Sequence, residues 1–414
     1  MQIYLKVLFI FLISIHIVKS GDSQVLYSPY SLFGVGKIEN NGFGVNRAMG
    51  GTGIAKKSGN YLNNINPASY HGIDSLKFLS EVGLFYNTMT YTSKDESLVR
   101  NDGSIQYLAI GFRISRKWAM SIGLMPYSKI DYIINSTAHL NGESSIFEIT
   151  YSGSGGINKF YIGNSFRLSN HLVVGVNVSS FFGNVTLLET SALGDDGLDY
   201  SFENIKYMNG LNFDFGMQYS FKLKEDRFTV GAIYAYRKEL NTASDINISY
   251  QDTDLTLEDS EDVDPFEVPQ KIGIGFAYNQ KGKWEIAFDY EKRNWSIMDF
   301  ANPFLNNRNS ERFSMGIEIF PKMNAKSKGF GNLSYRFGAN YNKSYLLIGS
   351  IPINSFALTA GFGIPVKKNL SILNLSLEHG QNGTIQKGLI KEKYWQINLS
   401  VSLQDSWFRK KKYY

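Results

Sequence analysis

Large apolar residues recur at every second position along most of the chain. Between Phe213 and Phe221, every odd position is large and apolar, whereas the even positions are polar or small. This alternation places the apolar side chains on one face of a β-strand, while a helix would scatter them around its axis. The pattern begins at Leu76 and recurs as far as Leu403. It predicts an all-β fold whose strands have two contrasting faces.

The length of these apolar stripes indicates a membrane barrel. Each stripe holds roughly five apolar residues and so makes a segment of about ten, the length that a tilted strand needs to cross a bilayer. No stretch beyond the N-terminal region approaches the roughly 18 apolar residues of a spanning helix, so any span must be built from strands. Residues 76–408 hold roughly fourteen or fifteen candidate strands, and such barrels have even numbers. We therefore predict a transmembrane antiparallel β-barrel of about 14 strands in a bacterial outer membrane, with a large soluble β-protein as the alternative.

The composition agrees with a barrel and excludes several other classes of protein. The chain has 26 Tyr, 29 Phe and 39 Gly among its 414 residues, and barrels use aromatic residues in two interface girdles and Gly in turns. It has no cysteine, which excludes disulfides, thiolate metal sites and a lipid-anchored lipoprotein. The net charge of +5 becomes smaller if Lys6 and Lys19 are removed with a signal peptide. No nucleic-acid partner is expected.

Residues 1–20 have the pattern of a secretory signal peptide. Lys6 precedes an apolar run from Val7 to Val18, and small residues follow at Ser20 and Gly21. The run is too short to cross about 30 Å of hydrocarbon. We predict cleavage near Ser20 or Gly21, and an uncleaved anchor is the alternative.

The other end of the chain is aromatic and then basic. Trp407 and Phe408 follow the last alternating stripe, at the place where the barrel-assembly machinery usually recognises a terminal aromatic signal. Residues 409–414 then include four consecutive basic residues, Arg409 to Lys412. We predict a short basic periplasmic tail, with a docking peptide for a partner as the alternative.

The alternation fails in residues 21–75, which are rich in Gly and Asn. About fifty residues without strand character are too many for a simple tail and too apolar for a disordered segment. We predict that this region folds inside the barrel as an N-terminal hatch that plugs the lumen.

Two motifs in this region resemble the outer-membrane long-chain fatty-acid and hydrocarbon transporters, the FadL-like family. They are the Gly-rich stretch from Arg47 to Gly53 and the tripeptide Asn66, Pro67 and Ala68. The resemblance implies a barrel of about fourteen strands, plugged by an N-terminal hatch that contains the Asn-Pro-Ala motif. The residue-level match is confined to the hatch. The Ser28-Pro29-Tyr30-Ser31 opening and the Asp405-Ser406-Trp407-Phe408 ending resemble a divergent branch of the family.

The third predicted strand contains an irregularity. The run from Trp118 to Lys129 alternates like a strand but includes Pro126, which has no N–H to donate and is tolerated chiefly at sheet edges or bulges. The FadL-like family uses an inward kink in its third strand to open a side window toward the membrane. The resemblance assigns that lateral opening to Gly123 and Pro126, with the Asn-Pro-Ala motif as a neighbour. A harmless bulge near the barrel rim is the alternative.

The loops differ in length and charge. Short turns at Ser169-Asn170 and at Asn279–Gly282 are predicted to face the periplasm, and the longer stretches Gln251–Val268 and Ser296–Ser310 the exterior. The first long stretch is strongly acidic, but Leu257 stands where a calcium loop needs Gly. A solvated loop is predicted, with cation bridges to lipopolysaccharide as the alternative.

No catalytic chemistry is evident in the sequence. None of the five histidines is spaced for a metal pair on one strand face, and no nucleophile elbow or phosphate-binding loop occurs in a supporting context. We predict no enzyme activity, no catalytic or metal-binding residues and no cofactor.

The sequence is compatible with two functions. The first is passive uptake of a hydrophobic small molecule, such as a fatty acid or hydrocarbon, across the outer membrane. The second is an accessory role, in which a FadL-like barrel serves as a subunit of an outer-membrane secretion or barrel-assembly complex. The expected partners are membrane lipid and lipopolysaccharide, the hydrophobic ligand, the barrel-assembly machinery and other outer-membrane proteins.

Overall fold

The computed structural model describes ten stretches of the chain. They are residues 28–39, 42–75, 77–139, 146–192, 200–250, 253–257, 266–296, 305–321, 332–366 and 371–406. The predicted signal peptide, the aromatic residues 407–408 and the basic tail lie outside these residues, as does most of the acidic stretch.

Fourteen long strands among the described residues form one closed antiparallel barrel. They are β2 (Lys77–Thr92), β3 (Ser97–Arg113), β4 (Trp118–His139), β5 (Ile146–Arg167), β6 (Leu172–Ala192), β7 (Tyr200–Leu223), β8 (Asp226–Ala235), β13 (Gln270–Gln280), β14 (Trp284–Asn294), β16 (Ser310–Ile319), β17 (Ser334–Ile348), β18 (Ile351–Val366), β19 (Ser371–Asn382) and β20 (Lys391–Ser406). The barrel closes where β2 pairs with β20, from Lys77 opposite Ser406 to Thr92 opposite Lys391. The predicted fold class and strand number are confirmed.

Six shorter strands accompany the barrel among the described residues. They are β1 (Lys37–Ile38), β9 (Lys238–Glu239), β10 (Asn241–Tyr250), β11 (Thr253–Leu257), β12 (Glu267–Val268) and β15 (Leu305–Asn307). Strand β10 extends the barrel by pairing with the far half of β7, and β11 pairs with β10. The only described α-helix, α1 (Gly44–Ala48), and two 3-10 helices, Pro29–Leu32 and Pro67–Gly72, belong to the N-terminal part of the chain. A third 3-10 helix spans Gln386–Gly388.

The period of two divides each barrel strand between membrane and lumen. In β7, Phe213, Phe215 and Met217 are exposed on the outer surface, whereas Asp214 and Gln218 are buried. Hydrocarbon cannot form a hydrogen bond with a free N–H or C=O, so the backbone groups of the wall pair with those of neighbouring strands. The outward-facing side chains contact lipid. The described residues include no helix that is long and apolar enough to cross a membrane.

The turns define the orientation of the barrel. At one end, β7 connects to β8 through two residues and β13 connects to β14 through three, with Lys281 and Gly282 in the left-handed region. At the other end, the β8–β13 connection carries four short strands. Outer-membrane barrels have short periplasmic turns and longer extracellular loops, so the first end faces the periplasm.

The outer surface supplies a direct test of this assignment. Phe288 lies at the centre of the eleven-residue strand β14 and is 48% exposed. Replacing it by Arg should cost about 2–4 kcal/mol of unfolding free energy, because the charge would lie near the bilayer midplane. Denaturant unfolding of the barrel in lipid vesicles measures this cost.

The matched control is Leu223→Arg at the periplasmic end of β7, where the residue is 63% exposed. A charge near the interface should cost about 0–1 kcal/mol. Equal costs at the two positions would contradict the assignment of membrane depth.

Candidate functional site

The described N-terminal residues, 28–39 and 42–75, pack against the inner face of the barrel wall. All five residues of α1 are buried, and so are Pro67 to Tyr70 of the second 3-10 helix. Phe43 stacks on Tyr107 of β3 with ring centroids 3.9 Å apart, and the Tyr107 hydroxyl accepts a hydrogen bond from the Gly44 N–H at 2.8 Å. The lumen is therefore filled by a segment that packs against its wall.

A buried ion cluster fixes the periplasmic half of this segment. Lys56 lies 2.9 Å from a Glu285 carboxylate oxygen and 3.1 Å from one of Glu318, and its side chain is fully buried. Arg336 donates to the other oxygen of Glu318 at 2.8 Å. We call these four residues the Lys56 cluster. Burial alone would lower the pKa of Lys56, but Glu285 and Glu318 raise it above its ordinary value, so the ammonium stays charged.

Asp289 of β14 fixes the adjacent turn of the segment. Its carboxylate accepts hydrogen bonds from the backbone N–H groups of Gly53 at 2.6 Å and Ile54 at 2.9 Å. Such an inward polar residue is expected to face water in an open barrel. Here it is buried because the N-terminal segment occupies that space.

The Asn-Pro-Ala motif starts the 3-10 helix Pro67–Gly72 and packs against β6 and β7. The Asn66 side chain accepts from the Ala68 N–H at 3.0 Å and donates to the Ile54 carbonyl at 2.7 Å. On the wall, a methyl group added to Gly216 would meet Asn66 Oδ1 at 2.0 Å, and one added to Gly175 would meet the Ala68 nitrogen at 2.5 Å. The tripeptide thus joins two parts of the segment to a glycine-lined wall.

The ladder between β3 and β4 is incomplete. It runs from Arg113 opposite Ala119 to Leu108 opposite Leu124, and no further pair is formed between these described strands. Beyond Leu124, β4 remains paired with β5 on its other edge, with a register shift between Pro126 and Ser128. The wall therefore has a gap between residues 97–107 of β3 and the distal half of β4, and Pro126 lies where it begins.

The N-terminal segment supplies hydrogen bonds to this free edge of β4. Strand β1 pairs with it, Lys37 opposite Lys129 and Ile38 opposite Ser128. The Glu39 N–H donates to the Tyr127 carbonyl at 3.0 Å. Across the gap itself, Lys129 forms an ion pair with Asp102 of β3 at 3.1 Å. The opening is thus covered by one short strand and one ion pair.

Gly123 lies on the paired side of this gap and has a packing role. It is opposite Ala109 of β3, and a methyl group there would meet the Tyr161 ring at 2.6 Å. Tyr161 in turn stacks with Tyr70 of the N-terminal segment at a centroid distance of 6.4 Å. Gly123 therefore makes room for a ring that holds the segment, and the Asn-Pro-Ala motif approaches this region through Tyr70.

A cavity of about 220 Å³ lies in the extracellular half of the lumen. Its lining combines the rings of Tyr30, Trp295 and Tyr345 with charged residues of the barrel strands, among them Arg293 and Glu378. Trp295 and Tyr345 stack at 4.2 Å. The cavity can accept a group with an aromatic body and a polar end. No group of acidic and histidine side chains among the described residues is arranged to hold a metal ion.

The model of one protein family, described as BamG, matches residues 4–414. The chain belongs to the BamG family. No curated protein matches the sequence. The family match covers nearly the whole chain, so it includes both the N-terminal segment and the barrel.

Several solved structures share the fold at low sequence identity. The Pseudomonas putida toluene transporter TodX is 18% identical, with a TM-score of 0.61 over 90% of this chain and 100% of that one. The Ralstonia pickettii toluene transporter TbuX is 15% identical, with a TM-score of 0.58 over 89% and 99%. The CymD monoaromatic hydrocarbon channel is 16% identical, with a TM-score of 0.55 over 91% and 99%. All three share the barrel fold with this chain, so the predicted barrel of the outer-membrane type is confirmed.

Sequence reasoning missed the residues that fix the segment. Glu285, Asp289 and Glu318 are inward-facing acids by the period of two. Lys56 is a charged residue in a region of small and polar residues, and this contrast is the sequence feature that could have indicated an ion pair with the wall. Their pairing joins positions more than 200 residues apart, which one sequence does not reveal.

The Lys56 cluster generates a prediction about the segment. Lys56→Met should lower the opening free energy of residues 42–62 by about 3–5 kcal/mol, because two buried carboxylates lose their shared cation. Amide hydrogen exchange in these residues should therefore become faster. The barrel should still fold, since the wall strands pair among themselves, and heat-modifiable mobility in gels measures this folding.

Lys57→Met is the control in this experiment. Burial, Arg227 and Arg167 lower the pKa of Lys57 to about 8, so its charge is disfavoured there and its loss should cost little. Equal protection losses in the two variants would show that the cluster does not hold the segment.

Proposed function

We propose that the chain provides a passive route across the outer membrane for a hydrophobic small molecule, which leaves sideways through the gap between β3 and β4. The observation that carries this proposal is the end of the β3–β4 ladder at Leu108 and Leu124. A barrel wall has no exit for an apolar solute where neighbouring strands are fully paired. Among the described barrel strands, the interrupted β3–β4 ladder is the place where a solute can reach lipid without crossing the periplasm.

The cavity chemistry indicates the kind of ligand. A cavity of about 150 Å³ is known to hold a benzene ring, so the upper cavity of about 220 Å³ is large enough for a single ring or a short chain. The rings of Tyr30, Trp295 and Tyr345 can pack against an apolar body. The arginine side chains in the lining can bind a polar or anionic end. An amphipathic ligand fits this lining better than a pure hydrocarbon.

In this proposal residues 28–75 act as a hatch. The first part of the segment covers the gap through β1, and Tyr30 lines the cavity. A ligand that binds more tightly when β1 is displaced shifts the segment toward an open state, because a ligand moves an equilibrium only by binding its states unequally. The Lys56 cluster keeps the periplasmic half in place during this movement.

The gap can be tested by closing it chemically. The chain has no cysteine, so Asp102→Cys and Lys129→Cys introduce the only thiols, one on each side. A short thiol-reactive cross-linker with a disulfide in its spacer should lower uptake of radiolabelled phenylacetate, a single ring with an anionic end, into cells at least fivefold, and reductant should restore it. Uptake is compared at equal surface expression.

Ser376→Cys with Asn398→Cys is the control pair, because these residues face each other in the complete β19–β20 ladder. Cross-linking there should leave uptake unchanged. Unaltered uptake after complete cross-linking of the 102–129 pair would contradict the lateral route, and so would equal uptake by cells that lack the protein.

A second candidate function is that of an accessory subunit of a barrel-assembly complex. The family match over residues 4–414 favours it, because the BamG name is associated with the assembly machinery. The firmly held segment favours it as well, since a barrel that serves as a scaffold needs no open lumen. This role and uptake are compatible, because one uses outer surfaces and the other uses the lumen.

The second function predicts two effects in cells. Affinity-tagged protein, purified in mild detergent, should carry the central barrel-assembly subunit in near-stoichiometric amount. Depletion of the protein should lower the surface levels of unrelated outer-membrane barrels, whereas expression of the cross-linked 102–129 variant should restore them. Isolation of the protein alone, together with unchanged levels of other barrels, would refute the accessory role.

A further inference from the structure

Residues 33–39 of the N-terminal segment connect two sides of the barrel at its extracellular end, and we call them the strap. In its first part, the Val35 N–H donates to the Tyr345 hydroxyl of β17 at 3.3 Å. In its last part, strand β1 pairs with the free edge of β4. The strap therefore joins the wall at β17 to the wall beside the β3–β4 gap.

Two glycines allow the strap to pass closely between these walls. Gly34 and Gly36 have φ angles of +63° and +79°, in the left-handed region that favours glycine. A methyl group on Gly34 would meet the Tyr345 ring at 2.8 Å, and one on Gly36 would meet the Lys129 carbonyl oxygen at 2.7 Å. The strap is thus fitted between Tyr345 and β4.

Two apolar clusters meet at the strap. One includes Tyr345 and Trp295, and the other lies on the inner face of strands β4 to β7 and includes Phe181. Ile38 of the strap packs against both clusters. The apolar closure of the extracellular end and the cover of the β3–β4 gap therefore depend on the same short piece of chain.

Tyr345 belongs both to the strap contact and to the upper cavity. Its hydroxyl lies 3.2 Å from the Phe33 carbonyl oxygen and 3.2 Å from that of Gly36, so these two acceptors share its proton. Its ring stacks on Trp295, and both rings line the cavity. Residues 36–39 of the strap line the same cavity. A molecule in the cavity therefore lies beside the strap and beside the residue that holds it.

The net charge of this cavity does not by itself select among ligands. Its lining contains as many acidic residues as basic ones, four of each. Selection therefore depends on individual groups. The Tyr345 hydroxyl is a group whose hydrogen bonds also hold the strap.

We infer that Tyr345 determines which ligands open the lateral route, by favouring aromatic molecules that carry a hydrogen-bond acceptor over plain hydrocarbons. An acceptor that takes the hydroxyl proton removes it from the Phe33 and Gly36 carbonyls. A carboxylate competes well, because charge-assisted hydrogen bonds are roughly twice as strong as neutral ones. The loosened strap then frees the edge of β4, whereas a plain hydrocarbon leaves these bonds intact. The inference rests on the proposed uptake and adds the class of ligand that the route admits.

The test is amide hydrogen exchange of residues 33–39 in the full chain in detergent, with phenylacetate, acetophenone or toluene at equal concentration. The variant is Tyr345→Phe, which keeps the ring and removes the hydroxyl. The control is Tyr394→Phe, because Tyr394 also lines the cavity but its hydroxyl donates to Glu378 of the wall. Heat-modifiable gel mobility verifies that each variant is folded.

In the wild-type chain and in Tyr394→Phe, phenylacetate and acetophenone should speed exchange in the strap about tenfold, whereas toluene should leave it within about twofold. In Tyr345→Phe, exchange should be about tenfold faster without ligand, and no ligand should change it further, because the bond that the ligand displaces is already absent. If this variant does not fold, the contrast between acetophenone and toluene in the wild type decides. Gly34→Ala, which disturbs the same contact from the strap side, should also speed exchange.

Three results would overturn the inference. They are equal responses of the wild-type strap to toluene and acetophenone, a ligand response that persists in Tyr345→Phe, and strap exchange that loss of the hydroxyl leaves unaltered. Exchange is measured on purified protein, so it does not depend on transport. A strap that responds as expected, together with no phenylacetate uptake into cells, would count against the uptake proposal alone. Uptake through the gap without a strap response would count against this inference alone.

Discussion

The need to satisfy every backbone hydrogen bond in a medium without water governs this structure. A strand that faces hydrocarbon has no solvent to replace a missing neighbour, so the chain closes its sheet by pairing β2 with β20 along their whole length. The β3–β4 gap is the exception among the described strands. There the Glu39 N–H and strand β1 donate to β4 from the lumen side. The segment is therefore part of the wall's hydrogen-bonding scheme as well as its filling.

Charge in the lumen obeys the same constraint. Glu285, Asp289 and Glu318 face inward, where an open barrel would hydrate them. Filling the lumen removes that water, and each buried carboxylate then needs a donor or a cation. Lys56 serves two of them and the Gly53 and Ile54 N–H groups serve the third. In the filled lumen, the wall carboxylates and the donors of the segment therefore depend on each other, since removal of either would leave buried polar groups without partners.

The sequence was sufficient for the architecture because the barrel is a periodic object. The alternation at Phe213–Phe221 and the segment lengths predict strands, faces and approximate strand number without knowledge of any contact. The site depends on contacts between residues far apart in the chain, such as Lys56 with Glu318, and no local pattern encodes them. Pro126 was recognised because its missing N–H is a local property. The assignment of Gly123 to an opening stays a prediction, and its packing against Tyr161 is a contact that only the three-dimensional structure reveals.

The two halves of the segment are held by forces of different strength. The periplasmic half is fixed by buried ion pairs and by the Asn66 side chain, whose loss would leave unpaired groups in a low-dielectric interior. The extracellular half is held by a two-residue strand, by hydrogen bonds such as that from the Val35 N–H to the Tyr345 hydroxyl, and by an ion pair at the gap whose Lys129 side chain is 41% exposed. Exposed ion pairs contribute little, and water can replace the hydrogen bonds of β1 near the barrel mouth. Motion should therefore begin beside the gap and the upper cavity, while the periplasmic half of the segment stays in place.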